Sequence, residues 1–127
     1  MKLVELYQCL CDTTRVRIVH LLARKSLCVC HIQEILGERQ VKISKHLAYL
    51  KARGVVEVRR DANWRIYHLP STPSSLLKAN LDCLTGCDAD EPVLSRDTAR
   101  LRKLQSRFDE NGPVCNPPSR RSSDKTT

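Results

Sequence analysis

The sequence predicts a mainly α-helical fold that includes one β-hairpin. Over most of residues 3–54, apolar side chains recur at intervals of three and four, which is the spacing of amphipathic helices. From Val55 to Leu69 the period becomes two, and β-branched and aromatic residues accumulate, as in β-strands. After Pro73 the helical spacing returns. We therefore expect about five to six helices, with the hairpin placed after the first four.

Two helices are predicted before residue 26. The first is indicated by an apolar stripe formed by Leu3, Leu6, Tyr7 and Leu10. Cys9 and Cys11 lie within this helix, and we expect both to pack in the core, with metal ligation as the alternative. Asp12 or Thr13 would cap the second helix, because either side chain can accept a hydrogen bond from an N–H of the first turn. The apolar stripe of this second helix consists of Val16, Val19, Leu22 and Ala23.

The segment from Leu27 to Gly54 contains two further helices, joined by a short turn at Gly37. Their apolar stripes consist of Ile32, Ile35 and Leu36 in the first helix and Ile43, Leu47 and Leu50 in the second. The other face of the second helix is polar and basic, as a helix that reads DNA requires. Gly54 is well placed to end this helix in a left-handed cap. The pattern predicts a helix-turn-helix.

Two strand-like segments follow the helix-turn-helix. They run from Val55 to Arg60 and from Trp64 to Leu69, and the polar residues 61–63 separate them. This arrangement predicts a hairpin with a polar tip, which is the wing of a winged helix-turn-helix.

The C-terminal part of the chain is expected to contain a helix from Ser74 to about Gly86 and another from about Ser95. We assign residues 1–87 to the winged helix-turn-helix domain and residues 88–110 to a linker and an extra helix. Residues 111–127 are rich in Gly, Pro, Ser and charges, so we expect a disordered tail.

Positive charge is concentrated on the helix-turn-helix and the wing. The net charge is +8, and the segment from Arg39 to Arg65 holds eight basic and two acidic side chains. Residues 71–127 hold nine basic and eight acidic side chains. A positive electrostatic potential concentrated on one segment is typical of a surface that binds nucleic acid. The candidate DNA-binding residues are Gln40, Lys42, Ser44, Lys45, His46, Arg53, Arg59, Arg60 and Arg65.

These candidates have different expected roles. Gln40 and Lys42 could contact base edges, whereas Lys45 and Arg53 are expected to bind phosphates. The three wing arginines would hold the DNA backbone or the minor groove.

Seven cysteines are many for 127 residues. The chain opens without a secretory leader and has no apolar run long enough to cross a bilayer, so we expect a cytoplasmic protein. Thiols in the cytosol stay reduced. We therefore prefer to interpret these cysteines as metal-binding, redox-active or packed residues and not as disulfides.

Four blocks of sequence resemble the arsenic-repressor (ArsR/SmtB) family of metalloregulators, in particular its arsenite and soft-metal branch. The blocks are residues 10–18 (LCDTTRVRI), 27–30 (LCVC), 42–47 (KISKHL) and 64–69 (WRIYHL). The resemblance covers about residues 3–85. It implies a homodimeric repressor, with the first helix and the helix after the wing forming the dimer interface. It further implies that the repressor leaves operator DNA when As(III) or a similar soft ion binds, and that DNA binding itself needs no cofactor.

Cys28 and Cys30 are the main candidate metal ligands. Two residues on an ideal helix point about 200° apart, so both sulfurs can reach one ion only if the helix start is extended or distorted. Ligation would then unwind the first turn of the helix that supports the reading helix. A helix N-terminus also lowers the pKa of a thiol, which favours the thiolate that binds the ion.

A third thiolate is not evident beside this pair. The arsenic-repressor version of the family has a third cysteine where this chain has Gln33. Cys83 and Cys87 lie four apart and could form a site of their own, and Cys115 could swing in from the tail. A site with two cysteines would favour a methylated arsenical. The resemblance implies As(III) as the inducer, and methylarsenite, Sb(III), Cd(II), Pb(II) and Zn(II) are the alternatives.

His31 and His68 are isolated, and we interpret them as ordinary surface or packing histidines. A cysteine redox or persulfide switch on the same fold is the main alternative to ligand binding, and a metal-trafficking thiol protein is a remote one. The sequence holds no Ser/His/Asp set, P-loop or paired-carboxylate cleft, so an enzyme is not expected.

Overall fold

The computed structural model describes residues 1–87 and 89–111 and confirms the mainly helical fold with a wing. The described part of the chain contains six helices and three strands. In chain order they are α1 (Lys2–Cys9), α2 (Thr13–Leu22), β1 (Leu27–Cys28), α3 (Val29–Leu36), α4 (Gln40–Ala52), β2 (Glu57–Asp61), β3 (Trp64–His68), α5 (Ser75–Thr85) and α6 (Pro92–Asn111). The disorder expected after Asn111 lies outside the described residues. None of the described helices combines the length and the apolar character needed to cross a bilayer.

The helix-turn-helix consists of α3 and α4, and both predicted glycine positions are confirmed. Gly37 follows α3 with φ of 71°, and Gly54 follows α4 with φ of 75°. At the end of α4, the N–H of Val55 donates to the carbonyl of Leu50 at 3.0 Å, which together with a bond from Gly54 to Lys51 forms a Schellman cap. These left-handed positions stop each helix at a fixed residue.

Side-chain caps fix the starts of two other helices. Asp12 caps α2, because its Oδ1 accepts a hydrogen bond from the N–H of Arg15 at 3.1 Å. Ser74 caps α5 in the same way, with Oγ accepting from the N–H of Leu77 at 3.2 Å. The start of each of these two helices is therefore fixed by a neighbouring side chain, so it can be predicted from the sequence.

The stripe predicted for α2 is partly wrong. Val19 and Leu22 are buried as expected, but Val16 is only half-buried, whereas Ile18 and Leu21 are fully buried. The reason is that α3, α4, α5 and α6 all pack against α2, so more than one of its faces is covered. A helix surrounded in this way does not show a single apolar stripe.

The wing is an antiparallel pair of β2 and β3, in which Asp61 lies opposite Trp64. Its turn is Ala62-Asn63, and Ala62 adopts a positive φ of 58°. The strand β1 adds to the free side of β3, with Cys28 opposite Ile66, so the sheet order is β1-β3-β2. This third strand was not predicted, because two residues are too few to show a period.

The last helix, α6, belongs to the same core as the helix-turn-helix. It begins at Pro92 and not near Ser95, which suits a proline because the first helical position needs no N–H donor. Leu94, Leu101 and Leu104 are buried, and α6 packs against α2 and α3. The packed part of the chain therefore continues past residue 87.

Candidate metal centre and nucleic-acid interface

Cys28 and Cys30 lie at the junction between β1 and α3. Cys28 is the residue before α3 and has an extended backbone, with φ of −87° and ψ of 167°, whereas Cys30 lies in the first turn of the helix. The two Sγ atoms are 3.0 Å apart, which is longer than the about 2.05 Å of a disulfide bond. Because Cys28 precedes the helix, both sulfurs meet without any helical distortion. The extended helix start, which is the first of the two conditions expected for both sulfurs to reach one ion, is thus present, and ligation need not unwind α3.

His31 joins the two cysteines. Its Nδ1 atom is 3.2 Å from the Sγ atom of Cys28, and the three potential ligand atoms lie within 4.8 Å of one another. His31 is buried, as a packing histidine would be, but its contact with Cys28 adds a nitrogen donor to the pair. The sequence signal for this was its position directly after Cys30 at the first turn of a helix.

Burial dominates the acid–base behaviour of this group. Burial raises the pKa of the Cys28 thiol above its ordinary value, and the hydrogen bonds from the backbone N–H groups at the start of α3 oppose this only in part. The expected lowering of the Cys28 pKa by the helix N-terminus is therefore wrong. Burial also lowers the pKa of His31 to about 4, so its imidazole is neutral near pH 7 and keeps a lone pair for ligation.

The other cysteines lie apart from this group. Cys9 is buried in the core as expected, but Cys11 follows α1, is exposed and donates to the carbonyl of Gln8 at 3.2 Å. Core packing is thus wrong for Cys11, because α1 ends before it. Cys115 lies outside the described residues. Among the described side chains, those of residues 1–87 and 89–107, Cys28, Cys30 and His31 form the one cluster of three potential ligands.

Cys83 and Cys87 stand close together at the end of α5. The thiol of Cys87 donates to the carbonyl of Cys83 at 3.0 Å. Cys83 is exposed and Cys87 half-buried. Desolvation, followed by the effect of the Cys83 sulfur, raises the pKa of the Cys87 thiol. The pair can offer two sulfurs to a ligand, with no third donor from the described residues.

Seven of the nine DNA-binding candidates expose their side chains, and Arg53 at the end of α4 is one of them. Gln40, Lys42 and Lys45 are exposed on α4, where Lys42 forms an ion pair with Glu38 at 3.2 Å. The wing exposes its three arginines, which are Arg59, Arg60 and Arg65. Sequence reasoning missed Val41, which is 70% exposed at the start of α4, although an apolar side chain there can contact a thymine methyl group.

Three of the candidates are half-buried or held by contacts within the protein. Ser44 is half-buried. His46 is also half-buried, and its Nδ1 lies 3.4 Å from a guanidinium nitrogen of Arg15. Arg53 stacks on the ring of Tyr49, with its guanidinium carbon 3.6 Å from the ring centroid, and donates to the carbonyl of Tyr49. The side chains of His46 and Arg53 therefore interact with Arg15 and Tyr49 of the same chain and do not extend freely into solvent.

Arg15 is a second residue that sequence reasoning missed. It donates to the carbonyls of Cys9 and Gln8 at the end of α1, each at 3.0 Å. Its guanidinium also lies over the ring of Tyr49 on α4, 4.1 Å from the centroid. Its position in a matched sequence block was the available signal, but its partners are far from it in sequence. Arg15 thus joins α1, α2 and the reading helix.

Comparison with known proteins agrees with this architecture. Residues 12–58 match the family model described as bacterial regulatory protein, arsR family. The arsenic resistance transcriptional regulator ArsR1 of Pseudomonas putida is 38% identical over 106 residues, which cover 80% of this chain and 78% of that protein. The arsenical resistance operon repressor of Escherichia coli is 34% identical over 85 residues, covering 63% of this chain and 73% of the repressor.

A solved structure shows the same fold. HlyU from Vibrio cholerae superposes with a TM-score of 0.59 and 30% sequence identity, over 65% of this chain and 87% of HlyU. The helix-turn-helix, the wing and these relatives lead to one conclusion. The chain belongs to the arsR family of bacterial regulatory proteins, so it is a helix-turn-helix transcriptional regulator and not an enzyme.

Proposed function

We propose that the protein is a cytoplasmic, homodimeric repressor that leaves its operator when trivalent arsenic, or a similar soft ion, binds Cys28 and Cys30. The observation that carries this proposal is the 3.0 Å separation of the two sulfurs at the start of α3. Thiolates are the ligands that soft metals and metalloids prefer. His31 supplies a nitrogen donor beside them, so the residues suit an arsenical, Cd(II) or Zn(II).

The position of these ligands provides a route to DNA. Cys28 pairs with Ile66 of the wing, and Cys30 lies on α3, which packs against the reading helix α4. Ligation that draws Cys28 and Cys30 toward one ion changes the position of β1 relative to α3. The wing pairs with β1, and α4 packs against α3. A small displacement of β1 relative to α3 would therefore disturb the fit of the wing and α4 to DNA.

The DNA side of the proposal uses the exposed residues of α4 and the wing. Gln40, Val41 and Lys42 would read base edges, and Lys45 would bind a phosphate. The arginines of the wing would bind the adjacent backbone. Ser44, His46 and Arg53 stay in the proposed surface, but His46 and Arg53 must first leave their contacts with Arg15 and Tyr49.

The exposed face of α1 supports the proposed dimer. Val4 and Tyr7 are 49% and 52% exposed, and together with Met1 they form an apolar surface on a short helix. The family resemblance implies that this helix and α5 form the dimer interface. Burial of these side chains against a second copy would remove the apolar surface from water.

The contact between the two sulfurs also supports a second function. Oxidation of Cys28 and Cys30 to a disulfide would release two protons and two electrons to an oxidant such as a peroxide, and the sulfurs need to approach by only about 1 Å. In this second function, the junction between β1 and α3 would respond to the redox state of the two cysteines, and no metal would be needed.

Fluorescence anisotropy of an operator duplex, obtained by selection from random sequences, tests the proposal. As(III), methylarsenite, Cd(II) and Zn(II) are titrated under anaerobic, reducing conditions. We expect release from the wild type but not from the double variant Cys28→Ser/Cys30→Ser. The matched control is Cys83→Ser/Cys87→Ser, which removes two thiols elsewhere and should respond like the wild type.

Three results would contradict this scheme in different ways. Release that survives in Cys28→Ser/Cys30→Ser but disappears in Cys83→Ser/Cys87→Ser would move the sensor to α5. Release by peroxide alone, with none by the four ions, would favour the redox function. Failure to select any duplex would argue against DNA binding.

A further inference from the structure

A cleft of about 630 Å³ opens beside the candidate metal centre. It lies between the end of α2, β1 and the wing, and Cys28 and His31 form part of its wall. A volume of this order is typical of small-molecule sites, which measure about 300–1,000 Å³. Its charged lining residues are Arg24, Lys25, Arg59 and Asp61, and its larger apolar ones are Leu27, Trp64 and Ile66. The cleft therefore combines positive charge, an aromatic surface and a wall that includes Cys28, one of the two candidate ligand cysteines.

The metal centre is short of one sulfur for a trivalent metalloid. Arsenic(III) forms three bonds and favours three thiolates, but the described residues bring only two sulfurs, those of Cys28 and Cys30, together at this centre. Gln33, one turn after Cys30 on α3, has no sulfur. His31 offers nitrogen, which is a harder donor than a thiolate.

We propose that the third sulfur comes from outside the protein. A small anionic thiol of the glutathione type would bind in the cleft, with its carboxylates near Arg24, Lys25 and Arg59 and its sulfur on the ion held by Cys28 and Cys30. This inference rests on the proposed function of the cysteine pair. The ligand is then an arsenic–thiol conjugate and not free arsenous acid.

The chemistry needs no oxidant or reductant. Arsenous acid, As(OH)₃, exchanges its three hydroxyl groups for three sulfurs. Each exchange breaks one As–O bond, forms one As–S bond and releases one water molecule that carries the thiol proton. Two of the sulfurs belong to Cys28 and Cys30, and the third belongs to the small thiol. Arsenic stays trivalent throughout.

The charge of the cleft selects among thiols. Three basic side chains face one acidic side chain, so a thiol that carries carboxylates is attracted and a neutral thiol is not. Arg24 also donates to the carbonyl of Thr85 at 3.5 Å, which places the end of α5 next to the cleft. Each exposed ion pair contributes modestly, so several together should change the affinity by about tenfold.

Native mass spectrometry and sulfur-to-arsenic ultraviolet absorption test this proposal on the reduced full-length chain. As(III) is titrated anaerobically with glutathione, with its diester, which lacks both carboxylates, with 2-mercaptoethanol or with no added thiol. We expect a complex of protein, one arsenic and one glutathione per chain. The apparent As(III) affinity should be about tenfold higher with glutathione than with the diester or 2-mercaptoethanol.

Two variants and one ligand serve as matched controls. Arg24→Gln/Lys25→Gln should remove the advantage of glutathione, whereas Lys78→Gln/Lys103→Gln, two exposed lysines outside the cleft, should retain it. Methylarsenite needs only two sulfurs, so its affinity for the wild type should not depend on glutathione.

The outcomes separate this inference from the proposed function. Equal As(III) affinity with glutathione, its diester and no thiol would overturn the external sulfur and leave the cysteine site intact. A glutathione advantage that persists in Arg24→Gln/Lys25→Gln would also overturn it, because the cleft would not be responsible. Loss of all arsenical binding, with or without glutathione, would instead overturn the proposed function of Cys28 and Cys30.

Discussion

The guanidinium of Arg15 lies over the ring of Tyr49, 4.1 Å from its centroid, and so joins α2 to the reading helix. The same side chain donates to Cys9 and Gln8 at the end of α1. Arg53 stacks on Tyr49 as well, at 3.6 Å. The orientation of the reading helix is therefore tied to the helix whose exposed face is proposed to form the dimer.

Replacement of Arg15 should weaken both folding and DNA binding. Arg15→Lys keeps the charge but cannot form the fork that reaches two carbonyls and a ring, so we expect a loss of about 1–3 kcal/mol in unfolding free energy. Urea unfolding and operator anisotropy measure the two effects. Arg102→Lys, on the exposed part of α6, is the control and should change neither. An unchanged operator affinity in Arg15→Lys would show that the contact between Arg15 and Tyr49 does not orient α4 for DNA binding.

The ion pair between Arg17 and Asp97 should be a major contributor to stability. Two guanidinium nitrogens of Arg17 each lie 2.9 Å from a carboxylate oxygen of Asp97, and Asp97 is fully buried. Asp97→Ala leaves a buried guanidinium without its counter-ion, so we expect a loss of about 3–5 kcal/mol in urea unfolding. Glu34→Ala breaks the exposed pair with Arg107 and should cost less than about 1 kcal/mol. Similar losses in the two variants would contradict this prediction.

Stability should fall as the pH is lowered from about 6.5 to 4. The pKa of His31 is about 4 in the folded chain, against an ordinary value of 6.5, because burial disfavours the charged imidazole. In this range the unfolded chain takes up a proton that the folded chain does not, so unfolding becomes easier by roughly 3 kcal/mol. Urea unfolding of the metal-free protein at several pH values measures the slope. His31→Gln should flatten this slope, and an equally steep slope in His31→Gln would contradict the prediction.

The turn of the wing should be stabilised by glycine. Ala62 has a positive φ of 58°, which places its Cβ too close to the backbone and costs about 1–2 kcal/mol. Ala62→Gly removes this strain, so we expect a gain of about 1 kcal/mol, measured as a higher Tm. Ala48→Gly, in the middle of α4, should have the opposite sign because glycine weakens a helix. A lower Tm for Ala62→Gly would show that the turn carries no such strain.

Removal of the Lys45 charge should reduce operator affinity and its salt dependence. Lys45 is exposed on α4 and is the proposed phosphate contact of this helix. Lys45→Gln should lower the slope of log affinity against log salt by about one. Anisotropy titrations at several salt concentrations give the slope. Lys78→Gln, on α5, is the control, and an unchanged slope in Lys45→Gln would remove Lys45 from the phosphate contacts.

Local chemistry made much of the fold predictable. Asp12, Ser74, Gly37 and Gly54 act on the nearest turn of the backbone, so their effects could be inferred from the chain and are confirmed. The change of period at Val55 located the wing for the same reason. Predictions that assumed one buried face failed where a helix is surrounded, as α2 is, or ends early, as α1 does before Cys11.

The sequence by itself determined the order of the helices, the helix-turn-helix, the wing and the cysteine pair, because each depends on residues a few positions apart. Only the tertiary structure decided how that pair is used. The pairing of Cys28 with Ile66 extends the backbone, which brings the two sulfurs together, and burial then raises the pKa of Cys28 against the effect of the helix N-terminus. The cleft next to Cys28 and the Arg15–Tyr49 contact likewise join residues distant in sequence, and no local pattern encodes the distance between such residues.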